Sequence, residues 1–316
     1  MALCNESVFA SGRAVMGEEL HDLGKINDRI WVVTPDVGKA VDSFRKDFPD
    51  RFVDVGIAEQ NAMGVAAGLA LEGNLPFVVG MIPFLTKRCC EQVYVAVCYN
   101  NLPVRIIGTG GGLVTGGGAT HNAVDDIAIM KTFVNMSVIS ISDPYMLKSI
   151  ISQSINMPGP LYIRMGQGKK DRVIYQPGTE DFKIGKPVRV FEGDDLTIFA
   201  HGDMVRYAID AASILRKQGI NAAVIDIFTL QPLDMDAITR ALEGNGKILV
   251  VEDHWMFGGL ASSMADAFTQ LGKYPSRFAR LGVPAVYAGF GEADELRNKY
   301  GYGVQGIVDK AKELLK

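Results

Sequence analysis

Apolar and polar positions change rhythm regularly along this chain, short runs of β-branched and aromatic residues alternating with stretches of helical spacing. Residues 13–25 predict an amphipathic helix, and the apolar run 30–34 predicts a buried strand, followed by Pro35-Asp36-Val37-Gly38. A strand at 52–55 turns at Gly56 into an almost uncharged, small-residue helix over 61–71. There Gly64, Ala66, Ala67, Gly68 and Ala70 predict close approach of another backbone and burial on most sides. The pattern continues as strand 77–79, helix 90–99, strand 104–108, a glycine-rich loop, helix 126–131, strand 137–140, helix 144–155 and strand 161–164. Gly, Pro and Lys then concentrate over 166–187, the best linker signal in the chain. A second series follows: strand 196–200, helix 205–218, strands 222–226 and 248–252, and a last helix 304–315. This order predicts an α/β fold, with a doubly wound, mostly parallel sheet in a domain over 1–180 and a smaller α/β domain over 181–316.

Composition narrows the class of protein. With 316 residues, 48% hydrophobic and 22% charged, the chain is expected to be a soluble globular protein of two domains. A net charge of −4 with mixed signs implies no nucleic-acid or anionic-membrane surface. Apolar runs such as 77–85 are too short to span a bilayer, and residues 1–7 show no basic segment followed by an apolar one. No signal peptide is therefore expected, and the cytoplasm is the expected location. Cys4, Cys89, Cys90 and Cys98 lack metal-ligand spacing and read as reduced, mostly buried side chains. No metal site is expected within the chain.

Glu59 is the first candidate for chemistry, because it sits on the turn that launches the small-residue helix. A carboxylate between apolar elements is costly to bury unless it stays protonated or has a dedicated partner. A helix-start carboxylate favoured by the helix dipole is the structural alternative. The glycine-rich stretch 108–121 ends at His121 and has neither the Gly-Lys-Ser/Thr ending of a nucleotide loop nor dinucleotide spacing. Phe84, at a strand end, offers either a flat stacking face or core packing.

The run Asp54-Val-Gly-Ile-Ala-Glu59-Gln-Asn-Ala-Met-Gly-Val-Ala-Ala-Gly-Leu-Ala70 resembles the pyrimidine-binding signature of transketolases and 1-deoxyxylulose-5-phosphate synthases. The resemblance covers essentially the whole chain. In the second half it extends to His201-Gly-Asp-Met-Val205, Gln231-Pro-Leu-Asp234 and Val251-Glu-Asp-His-Trp-Met-Phe-Gly-Gly259, which resemble the family's C-terminal domain. It implies that Glu59 hydrogen-bonds the aminopyrimidine ring of thiamine diphosphate, that Phe84 stacks on that ring, and that Asp36 and Met81 lie near the cofactor. Gly118-Ala-Thr-His121-Asn-Ala-Val-Asp-Asp-Ile-Ala128 resembles the family segment whose histidine faces the sugar hydroxyls, which implies His121 as a substrate ligand and proton-transfer residue. Arg164 matches a phosphate-binding arginine at a strand's carboxyl end, and Arg13 a second one. Glu252 and His254 suggest a ligand pair, with an interface turn as the favoured reading.

Departures from the pattern fall on the sugar-binding rim. Gly117 stands where family members carry an aspartate, Lys39 where a phosphate-binding serine is expected, Met81 in place of an aromatic and Asn122 in place of glutamine. The Gly-Asp-Gly and distant asparagine that bind magnesium and diphosphate are missing from this sequence. The chain therefore resembles the C-terminal subunit of a split transketolase. That implies an N-terminal partner subunit, which supplies the Mg2+ ligands, and a heterotetramer. The implied reaction passes a two-carbon glycolaldehyde unit from a ketose to an aldose acceptor. A 2-oxoacid-decarboxylating relative (a 1-deoxyxylulose-5-phosphate synthase or a 2-oxoacid dehydrogenase β-subunit) and a non-catalytic regulatory subunit remain alternatives.

Overall fold

The structure, a computed structural model, describes residues 3–4, 8–114, 116–178 and 181–316. The expected domain boundary at 180, and all but Leu3 and Cys4 of the opening heptapeptide read for a signal peptide, lie outside the described residues. The first half contributes strands β1 (Phe9–Ala10), β2 (Ile30–Thr34), β3 (Phe52–Asp54), β4 (Leu75–Met81), β5 (Arg105–Thr109), β6 (Ser137–Ser140), β7 (Leu161–Arg164) and β8 (Asp171–Arg172). The second contributes β9 (Val188–Phe191), β10 (Leu196–Ala200), β11 (Ala222–Asp226), β12 (Thr229–Gln231), β13 (Lys247–Trp255) and β14 (Arg277–Val283). The helices are α1 (Gly12–Ile26), α2 (Asp42–Asp47), α3 (Glu59–Leu71), α4 (Asp126–Lys131), α5 (Pro144–Ser154), α6 (Met204–Lys217), α7 (Met235–Glu243), α8 (Leu260–Leu271), α9 (Ala293–Lys299) and α10 (Val304–Leu315).

Among the described residues two large sheets form, as the alternation predicts, beside a two-stranded pair of β1 and β8. The larger has the order β12-β6-β7-β5-β4-β2-β3 and is parallel except at the β12–β6 edge. The smaller has the order β14-β13-β10-β11-β9 and is parallel except between β9 and β11. Every position of β5, β7, β10 and β11 is buried, the mark of parallel strands covered on both faces. One apolar layer joins Met16 of α1 and Ile150 of α5 with Met204 of α6 and Ile307 of α10. The other joins Ala62 and Ala66 of α3 with Ile127, Ile238 and Leu260. Both layers run through both halves of the chain, which places helices on each face of the sheets.

Three expectations need correction. The stretch 166–187 is not a loose connector: β8 pairs with β1 in register Phe9↔Arg172, and Val173, Ile174, Tyr175 and Phe182 are buried. Helix α3 is not enclosed on most sides within this chain. Its alanines pack inward, but a Cβ added at Gly64 or Gly68 would meet nothing within 4 Å, and Leu71 is 69% exposed. Helix 90–99 is wound as a π-helix over Gln92–Cys98, following a π-helical turn at Phe84–Arg88. Windings of this kind are rare and concentrate at functional sites.

The two halves are held by buried polar ties as well as by β12. Asp226, fully buried at the end of β11, accepts hydrogen bonds from Ser142 and from the Tyr175 hydroxyl at 2.6 Å. Burial pushes its carboxyl up to about 7, with the two hydroxyl donors opposing and nearby Asp143 adding to the rise. The fold therefore favours the neutral form. Its contribution to stability is complete below the ordinary aspartate range and is lost as pH rises through about 7. Asp226→Asn is expected to flatten the fall in denaturation midpoint between pH 5 and 8. A variant curve parallel to the wild type over that range would show that another group titrates.

Candidate active site

The candidate residues gather at the carboxyl ends of the parallel strands, where open α/β sheets place their ligands. After β3, Asp54 ties two loops together, accepting from the backbone N–H of Gly56 at 2.9 Å and of Asp36 at 3.2 Å. Gly56 takes φ 67°, a left-handed turn that aims the next residues into α3. Glu59 is the first residue of that helix, and its side chain is 4% exposed. Its partner is Arg88, whose Nη1 donates to Glu59 Oε2 at 2.7 Å. Of the options left open for a buried carboxylate here, the structure supplies the dedicated partner.

Arg88 also joins Glu59 to the aromatic candidate. Phe84 and Arg88 lie four residues apart on one helical turn, and the guanidinium carbon sits over the ring, 4.2 Å from its centroid. His121 then packs edge-on against Phe84, centroids 5.4 Å apart. The neighbouring ion pair Lys87–Asp125, at 3.0 Å, fastens this turn to the segment leading into α4. Gly117 has a steric reason to lack a side chain, because a Cβ there would come within 2.8 Å of His121. An aspartate at 117 would force the imidazole from its place. Thr115, inside the glycine-rich stretch, lies outside the described residues.

Arg13 and Asp36 lie together in an adjoining cleft of about 610 Å³, with Lys39, Arg45 and Asp54 in its wall. Arg13 Nη2 donates to Thr109 Oγ1 at 3.2 Å, and burial lowers the guanidinium's pKa from its ordinary value. Thr109 is the ladder partner of half-buried Met81, so this cleft and the Glu59 cluster adjoin across β4 and β5.

Arg164 is the correction. It ends β7 as expected, yet only 3% of it is exposed. Its Nε donates to Asp126 at 2.9 Å, and its Nη2 donates to the carbonyls of Ala123 and Asp253 at 3.0 and 2.9 Å. Through Nε and Nη2 the guanidinium ties the first half to the second, a structural role that the sequence match does not convey. Arg164→Met leaves Asp126 buried without its cation and is expected to lower chain stability by about 3–5 kcal/mol. Chemical denaturation checks this; unchanged stability with weakened sugar binding would restore the ligand role. Glu252 is likewise structural, accepting from the N–H groups of Leu260 and Ala261 at 2.7 and 3.1 Å at the start of α8. Sequence reasoning missed Arg88, although its helical spacing from Phe84 was a usable signal.

Among the described residues, no group of three or more His, Cys, Asp and Glu side chains could hold a metal ion. Nor is any helix among them long and apolar enough to cross a membrane.

A parallel sheet with a buried helix-start carboxylate beside an aromatic face, continuous with a second α/β unit, corresponds to two family descriptions. Residues 10–170 match the transketolase pyrimidine-binding domain, and residues 185–307 match the transketolase C-terminal domain. The chain belongs to the transketolase family. Nearly all of it also matches individual subunits. It is 35% identical over 302 residues to an apulose-4-phosphate transketolase subunit of Phocaeicola vulgatus, covering 95% of this chain and 96% of that one. It is 34% identical over 291 residues to a 6-deoxy-6-sulfo-D-fructose transketolase subunit of a Clostridium species, covering 91% and 89%. A solved structure described as a split gene transketolase, inactive beta4 tetramer, superposes with TM-score 0.86 at 33% identity, covering 98% of this chain and 99% of that one.

Proposed function

We propose that this chain is the C-terminal subunit of a thiamine-diphosphate-dependent transketolase that moves a two-carbon glycolaldehyde unit from a ketose to an aldose in the cytoplasm. The observation that carries the reading is the cluster Glu59–Arg88–Phe84–His121 at the carboxyl ends of the sheet. It lies in a chain that matches transketolase subunits over nearly its whole length. Residues 1–180 form the pyrimidine-binding domain in this reading, and 181–316 the C-terminal domain.

These residues fit the pyrimidine end of the cofactor. Glu59 is a buried carboxylate beside a half-buried aromatic face, the two features a flat, nitrogen-bearing ring requires. Bound there, thiamine diphosphate supplies an electron sink for breaking and making the carbon–carbon bond. Glu59 holds and shares the proton at the aminopyrimidine ring nitrogen, and Phe84 fixes the ring's plane. His121 moves protons at the sugar hydroxyls. Arg13 and Lys39, in the cationic cleft beside Met81 and Asp36, hold the anionic end of the sugar, the task first assigned to Arg164.

The N-terminal partner supplies the magnesium and diphosphate ligands. The exposed face of α3 with Ile57, 75% exposed, Gly64, Gly68 and Leu71 is its docking surface in a heterotetramer of two chains of each kind. The test is co-expression of the pair followed by assay with ketose donors. Transfer of glycolaldehyde without release of carbon dioxide supports the reading. Carbon dioxide release from a 2-oxoacid favours the decarboxylating alternative, and a pair that turns over no ketose favours a regulatory subunit.

A further inference from the structure

Arg88 touches two of the residues assigned to the cofactor, and neither the sequence pattern nor the proposed mechanism gives it a task. Its guanidinium is fixed at both ends, one N–H on Glu59 Oε2 at 2.7 Å and its carbon over the Phe84 ring at 4.2 Å. The carboxylate side chain is 4% exposed, whereas the arginine side chain is 44% exposed. Among the described residues, the second carboxylate oxygen, Oε1, makes no hydrogen bond. We infer that Arg88 is a positioning residue: it clamps Glu59 through Oε2 as an ion and leaves Oε1 free for the ring nitrogen of the cofactor.

The neighbours of Glu59 leave this task to Arg88. Strands β2 and β4 pack against α3 and carry no ionisable side chain. The turn Phe84–Arg88 brings Lys87 and Arg88, and Lys87 is engaged by Asp125. Cys89 follows, its thiol pushed up to about 12 by burial and by the charge of Glu59 itself, so it stays neutral. The π-helix Gln92–Cys98 adds Tyr94 and the Cys98 thiol, which burial also pushes up to about 12. His121 packs edge-on against Phe84 and pairs its Nδ1 with the Thr120 hydroxyl. Arg88 is thus the one cation that the described residues set against Glu59. Its removal would leave a carboxylate buried without a partner, and such a group takes up a proton. A Glu59 locked in its protonated form can lend a proton to the ring nitrogen but cannot readily take it back, so the sharing stops after one half. Arg88 therefore sets the charge with which Glu59 meets the cofactor.

The inference rests on the thiamine-diphosphate reading, so it is tested first without cofactor or partner. Stability of the isolated full chain is measured against pH for wild type, Arg88→Met, Arg88→Lys and the double variant Arg88→Met/Glu59→Gln. Arg88→Met is expected to add a step in which stability falls as pH rises between about 5 and 8, because a raised carboxyl pKa favours the fold only while protonated. The step should be absent from Arg88→Lys and from the double variant. Calorimetry on the reconstituted pair should then show thiamine diphosphate binding weakened about tenfold or more by Arg88→Met and largely restored by Arg88→Lys. An Arg88→Met pH curve parallel to wild type would overturn the inference while leaving the transketolase reading intact. Unchanged or tighter cofactor binding by Arg88→Met would overturn it too, showing that the guanidinium competes for the ring's place. A wild-type pair that binds no thiamine diphosphate would instead remove the functional reading, and the pH step would still report on the clamp.

Discussion

Glu59→Gln in the reconstituted two-subunit complex is expected to slow hydrogen–deuterium exchange at the thiazolium carbon of thiamine diphosphate by about 10²–10⁴. Glutamine keeps the size of glutamate and still accepts from Arg88, but it cannot share a proton with the pyrimidine. The fold has little reason to suffer. Arg88 is 44% exposed and can turn its charge to solvent once the carboxylate is gone. A carboxylate serving only as a helix-start charge would contribute on the order of 0.3–1 kcal/mol to stability and nothing to chemistry. The decisive pair of measurements is therefore the exchange rate and the melting temperature. Slow exchange at an unchanged melting temperature supports the catalytic role. Normal exchange at a lowered melting temperature assigns Glu59 to the helix start alone.

Gly64→Arg should give opposite results in the free chain and in the assembly. In the chain alone, a Cβ at Gly64 meets nothing within 4 Å. Replacing glycine in a helix interior by a good helix former is worth about 1 kcal/mol, so the isolated chain should be as stable as wild type or slightly more so. At a close-packed interface the same side chain places a long cation where only a hydrogen was accommodated. An unpaired buried charge costs about 3–5 kcal/mol, which corresponds to a loss of assembly of about a hundredfold or more. Light scattering of the co-expressed pair and its ketose turnover should fall together. Normal assembly by this variant would move the docking surface elsewhere on the chain.

The sequence made the sheet cores legible because parallel strands buried on both faces are continuous apolar runs. Residues 30–34, 137–140, 161–164, 196–200 and 222–226 are strands with those bounds. The edges were harder. β12 is three residues long beside a proline, and β14 carries exposed Arg277 and Phe278 at its start, so neither reads as a buried run. β9 falls just after the presumed linker, where turn-forming residues mask a strand that pairs at the sheet's edge.

Side-chain partners were the least legible part of the site. Arg164 was placed correctly at a strand end, but its partners Asp126 and Asp253 lie 38 and 89 residues away, and they convert an open-looking arginine into an internal tie. Glu59 and Arg88 meet across 29 residues, which periodicity does not encode. Helix α3 was judged from its small residues to be covered. The chain itself covers only the alanine side of the helix.

Strand β12 belongs by sequence to the second half and by hydrogen bonding to the first sheet, where Thr229 lies opposite Ile139 and Gln231 opposite Val138. The units that could be recombined among relatives are therefore not the two halves on either side of 166–187. A chimera joined there would import a foreign edge strand, against which the resident β6 would have to find its register. It would also import Asp226, the acceptor for the resident Ser142 and Tyr175 hydroxyls. Substrate preference in this family could thus be grafted by exchanging loops at the strand ends more readily than by exchanging whole domains, because three residues of ladder bind the two halves into one inherited block.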